Sequence, residues 1–251
     1  MTKQHVYFIS DFHLGAPNYE KSLEREKKIV RFLTSVECNA KEIILLGDLF
    51  DFWYEYKHAV PKGFVRLFAK IIDLQEKGIV ISVFTGNHDI WMFDYLEKEL
   101  GVKIYREPQD RVFGNKKFHI AHGDGLGPGD HGFKFIKSIF TNKFCQKLFQ
   151  LVHPDLGITI ANLWSRHSRD QNIENDTISF KGEDKEFLIL YSKEILSKEH
   201  FDYFVFGHRH LNLTIPLSDK STYFNIGDWL TLFTYGEFDG ENFSVKAYVE
   251  N

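Results

Sequence analysis

Five short polar clusters carry the side chains that could do chemistry in this chain: Asp11-Phe12-His13, Gly47-Asp48-Leu49-Phe50-Asp51, Gly86-Asn87-His88-Asp89, His122-Gly123-Asp124 and Gly207-His208-Arg209-His210. Carboxylate, imidazole and amide oxygen are ligands for manganese, iron or zinc, and the lack of cysteine among them argues against a closed thiolate zinc site. Residues two apart in an extended segment point the same way, so Asp11 with His13, and His208 with His210, can face one cation or two adjacent ones. Gly47, Gly86, Gly123 and Gly207 would let the backbone turn tightly and approach bound ions. One such cluster alone says little, because a lone Gly-Asp is more often a turn. All five in succession point to divalent-metal binding. Without cations, gathering Asp11, His13, Asp48, Asn87, His122, His208 and His210 would leave like charges and desolvated polar groups uncompensated.

Each cluster must be placed by a strand before it. Short apolar runs read as buried strands at Val6 to Ser10, Ile43 to Leu46, Ile79 to Phe84, Phe118 to Ala121 and Tyr203 to Phe206. Helical spacing fills Leu23 to Val36 and Phe64 to Lys77, the second stopping at Gly78. Strand alternating with helix predicts a largely parallel sheet, whose chemistry sits beyond the carboxyl ends of the strands. After Gly207, alternating runs at Leu213 to Pro216, Thr222 to Ile226, Leu230 to Tyr235 and Phe243 to Val249 predict antiparallel strands. The interval from about Gly125 to Lys185 breaks this rhythm. It predicts a helix from His131 to Val152, a second from about Gly157 to Asn172, and a polar, mobile stretch from Asp170 to Asp184. The expected organisation is one domain over residues 1–251 with a helical cap inserted at about 125–185.

With 31 Lys and Arg against 35 Asp and Glu, the formal charge is -4, which lacks the basic excess of a general nucleic-acid binder. Cys38 and Cys145 show no metal-like spacing, and the N-terminus runs into a strand without an apolar signal region, so a reducing cytoplasm is expected. No stretch reaches the roughly 18 apolar residues needed to span a bilayer.

In order and spacing, Asp-x-His, Gly-Asp, Gly-Asn-His-Asp, His-Gly-Asp and Gly-His-x-His resemble the motifs of the calcineurin-like metallophosphoesterase superfamily. The resemblance implies an α/β fold, a four-layer α/β/β/α sandwich, with two metals bridged by Asp48 and a hydroxide. It implies that Asp11, His13 and His210 complete one metal site and Asn87, His122 and His208 the other. Two cations roughly 3.5 to 4 Å apart lower the pKa of a bridging water and clamp both oxygens of an in-line phosphoryl displacement. His88 is then placed to stabilise developing charge or protonate the leaving oxygen, supported by Asp89 or Asp51.

Within the superfamily, Gly47-Asp48-Leu49-Phe50-Asp51-Phe52-Trp53 and His122-Gly123-Asp124-Gly125-Leu126 through Asp130 are most similar to the UDP-2,3-diacylglucosamine pyrophosphatases of lipid A biosynthesis. That similarity implies manganese, a lipid-linked nucleotide sugar as substrate, and substrate contacts at Asn87, His88, Asp130, Phe133, Arg166, Ser168 and Arg169. Two positions differ from that subgroup: His88 stands where it resembles Gly-Asn-Arg-Asp, and Phe133 replaces an aromatic hydroxyl. A phosphodiesterase or nucleotide phosphatase of other specificity is the alternative, and a non-catalytic scaffold a further one. From His131 to His153 the chain carries Lys134, Lys137, Lys143 and Lys147, no acidic residue, and phenylalanines at helical spacing. Such a helix lies on an anionic membrane surface or lines an acyl groove, or simply packs its phenylalanines on the sheet. A cytoplasmic protein peripherally associated with the inner membrane is expected, with no nucleic-acid partner and no obligate protein partner.

Overall fold

The structure, a computed structural model, describes residues 4–129, 131–161, 163, 165, 179–180 and 182–250. The strands β1 (His5–Ile9), β2 (Ala40–Leu45) and β3 (Val80–Phe84) alternate with α1 (Tyr19–Val36) and α2 (Val65–Glu76). α1 begins at Asn18, whose side chain accepts the Lys21 N–H and so satisfies one of the free donors of the first turn. Its buried Ile29, Phe32, Leu33 and Val36 recur at helical spacing and pack on one face of the sheet with Tyr7, Ile9, Ile43 and Leu45. The alternate residues Val6, Phe8 and Ile44 point to the opposite face.

α3 (Tyr95–Leu100), β4 (Lys103–Tyr105), β10 (Thr234–Phe238) and β11 (Phe243–Ala247) complete this sheet in the order β11-β10-β1-β2-β3-β4. Its β1 to β4 segment is parallel, whereas β10 runs antiparallel to β1. A second sheet contains β5 (Gln109–Phe113), β6 (Lys116–Ala121), β7 (Tyr203–Phe206), β8 (Asn212–Ser218) and β9 (Ser221–Ile226), ordered β5-β6-β7-β9-β8. Val6, Phe8, Ile44, Leu46 and Phe84 of the first sheet meet Phe118, Ile120, Val205, Phe224 and Ile226 of the second, with the Phe8 and Phe118 rings stacked 5.9 Å apart. The outer face of the second sheet is covered by α6 (Phe187–Leu196), whose Leu188 and Ile189 pack on Phe204, Phe206 and Tyr223. Helices, sheet, sheet and helix form four layers, the architecture expected from the motifs.

Several elements depart from the sequence reading. The single helix expected from His131 to Val152 is two, α4 (His131–Thr141) and α5 (Lys143–Gln150), because Asn142 turns its carboxamide onto the Phe144 and Cys145 N–H groups. Residues 154–161 are helical, while most of the polar stretch from Asp170 to Asp184 lies outside the described residues. The strand expected from Leu230 starts only at Thr234, since the N–H groups of Leu230, Thr231 and Leu232 are taken by the Asp228 carboxylate. The antiparallel expectation after Gly207 holds for β8 with β9 and for β10 with β11, while β9 also pairs parallel with β7 on its other edge. Not anticipated were α3, too short for periodicity, β5, an edge strand with exposed polar positions, and α6, whose apolar run has no clear period.

Glu42 of β2 and Arg111 of β5 tie the two sheets together. Arg111 Nη2 donates to both Glu42 oxygens at 3.0 Å, and Ser82 Oγ donates to the same carboxylate at 2.8 Å. Arg111→Ala leaves that carboxylate buried without its counter-charge and is expected to cost roughly 2 kcal/mol, read as a lower urea midpoint at unchanged slope.

Candidate metal centre

Parallel strands bring the polar clusters to one region. Asp11, Asp48 and Asn87 follow β1, β2 and β3; His122 and His208 follow β6 and β7. The chain does not stay extended there. Asp11, His13, Asp48, His208 and His210 all adopt left-handed backbone, with φ of 59°, 43°, 51°, 66° and 53°. Each such conformation costs about 1 kcal/mol or more for a residue with a Cβ. The expectation that Asp11 and His13 converge because they alternate along a strand is therefore corrected. They converge because the chain reverses its twist at both, while Phe12 between them is buried edge-on against Trp229.

Three-residue groups form where the side chains meet. Asp11, His13 and His210 offer donor atoms within 4.8 Å of one another, as do Asp48, His122 and His208. Asp48 lies between the groups: its Oδ2 is 3.6 Å from His13 Nε2 and 3.4 Å from His122 Nε2. His210 Nε2 is 3.4 Å from Asp11 Oδ1. These separations exceed hydrogen-bond lengths and match two donors each about 2.1 Å from a common ion. Asp11 Oδ1, His13 Nε2, His122 Nε2 and Asn87 Oδ1 are buried without a hydrogen-bond partner. Orphaned donors of this kind are costly unless something binds them, and oxygen and imidazole together suit a divalent cation.

The atoms facing away from the cluster are occupied. His122 Nδ1 donates to the Leu46 carbonyl at 2.6 Å, leaving Nε2 toward Asp48. The other Asp48 oxygen accepts the His88 N–H at 2.9 Å, and Asp11 Oδ2 accepts the His208 N–H at 3.0 Å. Such closeness needs glycine: a Cβ on Gly86 would collide with the Asp48 carboxylate, and one on Gly207 with Ser10 and Asp11.

Charge is balanced by protons when no cation is bound. Burial opposes charge on His122, yet Asp48 beside it lifts the imidazole to about 10. Burial likewise opposes charge on His13, but Asp11 and Asp51 raise it to about 10. Burial would raise Asp11 and Asp48, yet the neighbouring imidazoles hold both below the usual carboxylate range. His208, buried and near the positive His122, falls to about 4. A metal ion supplies the same positive charge, so its uptake must displace protons.

His88 sits beside the cluster, its ring 4.7 Å from that of His13, with Nδ1 2.9 Å from the Asp51 carbonyl. Burial lowers its pKa. Asp89 does not act on His88: its two oxygens accept the Leu49 and Gly86 N–H groups, both at 2.7 Å, pinning two donor-bearing loops together. Asp51 brings a carboxylate near the His88 ring, Oδ1 to Nδ1 3.9 Å, as Asp48 does on the backbone side. Phe133 on α4 brings its ring 6.3 Å from His208. Asp130, Arg166, Ser168 and Arg169 lie outside the described residues. The sequence reading missed Ser165, whose hydroxyl is 3.2 Å from His88 Nδ1, and Asp228, whose Oδ2 is 3.3 Å from His210 Nδ1. A Gly-Asp pair at 227–228 was the available signal, obscured because no second ligand type flanks it.

The model of the calcineurin-like phosphoesterase family matches residues 4–212. A UDP-2,3-diacylglucosamine hydrolase of Porphyromonas gingivalis is 32% identical over 253 residues, covering 96% of this chain and 97% of that protein. The protein of that name from Haemophilus influenzae (strain Rd) is 24% identical over 229 residues, 90% of this chain and 91% of its own length. One from Neisseria meningitidis serogroup B is 31% identical over 148 residues, 59% of this chain and 60% of its own.

Divalent metal is expected to stabilise the protein measurably. At a free concentration 100 times the dissociation constant, each site contributes about 2.7 kcal/mol, roughly 5–10 °C in melting temperature. EDTA should reverse the shift, and a weakly buffered titration should record proton release; a melting temperature indifferent to metal would count against the centre.

Proposed function

This chain belongs to the calcineurin-like phosphoesterase family, and we propose that it hydrolyses the pyrophosphate of UDP-2,3-diacylglucosamine to 2,3-diacylglucosamine 1-phosphate and UMP. One observation carries the reading. Carboxylate and imidazole donors from four loops converge, with Asp11 Oδ1, His13 Nε2, His122 Nε2 and, on a fifth loop, Asn87 Oδ1 buried and partnerless, in a chain that matches a hydrolase of that name over nearly its whole length.

In this reading Asp11, His13 and His210 hold one cation, Asn87, His122 and His208 hold the other, and Asp48 lies between both. Manganese is the metal we assign. Two such cations, when bound, supply a nucleophile at neutral pH and neutralise charge at the phosphorus centre. The protein's part is positional. Asp89 fixes the Asp48 and Asn87 loops relative to each other through the Leu49 and Gly86 amides. His88, its Nδ1 against the Asp51 carbonyl, presents the rest of its ring to the phosphoryl or leaving oxygen. Asn87, His88, Asp130, Phe133, Arg166, Ser168 and Arg169 are assigned to substrate contacts.

We assign residues of about 125–185 to a cap within a single domain, and give it the lipid half of the substrate. α4 and α5 are anchored by Trp91 Nε1, which donates to the Phe140 carbonyl, and by Tyr54 Oη, which donates to the Gln146 carbonyl, both at 2.7 Å. Phe140 and Phe149 pack inward on Tyr54, Tyr56 and Trp91. Phe135, Phe144, Leu148 and Leu151 stay exposed, alongside exposed Lys143 and Lys147. That mixture suits acyl chains and the anionic cytoplasmic leaflet, consistent with peripheral association. No helix among the described residues is long and apolar enough to cross a membrane.

Asp48→Ala and His122→Ala should each abolish hydrolysis in manganese; more than a few per cent of wild-type turnover would refute the assignment. The wild-type protein should prefer the acylated nucleotide sugar to bis-p-nitrophenyl phosphate, and equal turnover of the two would remove the lipid from the reading.

A further inference from the structure

The donor group containing Asp11, His13 and His210 is braced twice by the turn after β9. Trp229 N–H donates to the Asp11 carbonyl at 3.1 Å, and the Asp228 carboxylate lies against His210. Asp228 is buried, and its place is fixed from behind: Oδ1 accepts the N–H groups of Leu230, Thr231 and Leu232 at 2.8, 2.6 and 3.1 Å. Oδ2, which also accepts the Thr231 hydroxyl at 3.2 Å, faces His210 Nδ1, 3.3 Å away, while His210 Nε2 faces Asp11 Oδ1 at 3.4 Å.

A neutral imidazole carries one proton, and the partner of one nitrogen decides which nitrogen is left to bind a cation. An ionised carboxylate can only accept, so Asp228 keeps the proton on Nδ1 and turns the Nε2 lone pair toward the cluster. His122 obtains the same tautomer from a neutral carbonyl, that of Leu46. A carboxylate makes the imidazole behind it a stronger donor than a carbonyl does.

We propose that Asp228 is the positioning residue of this centre: it fixes His210 as an Nε2 ligand and makes the Asp11, His13, His210 site the tighter of the two. The inference rests on the two-metal reading above. It predicts that the two cations load in order, this site first.

Asp228→Asn is the discriminating variant. The three amides need an oxygen acceptor, so the asparagine keeps its oxygen on them and turns its NH2 toward His210 Nδ1. That donor demands a lone pair on Nδ1 and places the proton on Nε2, facing the cluster. Calorimetric titration of the metal-free protein with Mn2+ should show two equivalents in the wild type. In Asp228→Asn one equivalent should weaken by about 10- to 100-fold, the other staying within about twofold, with the melting temperature of the metal-free protein unchanged. An independent reading on the wild type, long-range 1H–15N NMR of the Zn2+-loaded protein, should find the His210 proton on Nδ1. Two wild-type affinities in the variant, equal weakening of both sites, a fall in metal-free stability that accounts for the loss, or a proton on Nε2 would each overturn the proposal. A wild type that takes up fewer than two equivalents would overturn the two-metal reading, and this inference with it.

Discussion

The structure turns on a concentration of buried donors that cannot satisfy one another. Asp11 and Asp48 are both fully buried, their oxygens are aimed toward His13, His122 and His210, and the separations are too long for hydrogen bonds. A core with those groups left bare would be unstable by several kcal/mol. Protons on the imidazoles relieve the imbalance in part; a cation shared among the same atoms would relieve it more fully and would supply Lewis acidity.

Holding the donors in place costs backbone energy, and the fold distributes that cost. Asp11, His13, Asp48, His208 and His210 adopt left-handed backbone. Asp11 N–H donates to the Gly47 carbonyl and His13 N–H to the Asp48 carbonyl, so the two loops of the first sheet lock each other. Gly207 N–H donates to the His122 carbonyl, while Asn225 of β9 donates its side-chain amide to the Gly207 carbonyl, doing the same for the second sheet. The sandwich core of Phe8, Phe118, Phe224 and Phe238 stands behind both and keeps the two strand edges in register. Strain at the centre is thus a consequence of rigidity elsewhere.

The helical insertion behaves differently. α4 and α5 touch the body through an aromatic patch of Tyr54, Tyr56 and Trp91 and through Phe133 near His208, while leaving apolar side chains outward. A segment attached through few contacts and rich in exposed apolar area suits a ligand that is itself half apolar. The same helices hold Lys134 against the Gly127 carbonyl and Lys137 2.7 Å from Asp124, joining the insertion to the loop after His122.

Much of this was readable from residue order alone. Donor types recurring after short apolar runs require a parallel sheet to gather them, and that logic placed a strand before every cluster. Chemical type is legible there because a ligand needs a fixed one, which sequence records directly. What it could not reach was set by contacts between distant segments. Asp228 is one more Gly-Asp until the β9 turn lays it against His210, 18 positions away. Asp89 reads as a partner of its neighbour His88 until the backbone turns it onto Leu49 and Gly86. The convergence of Asp11 and His13 looked like strand alternation and is instead a left-handed reversal, imposed by hydrogen bonds to a loop 36 or so residues on. Residue type is a local property, whereas orientation, tautomer and protonation depend on what the folded chain packs against each side chain. Which carboxylates and imidazoles are present was decided by sequence; which of their atoms face one another was decided by tertiary structure.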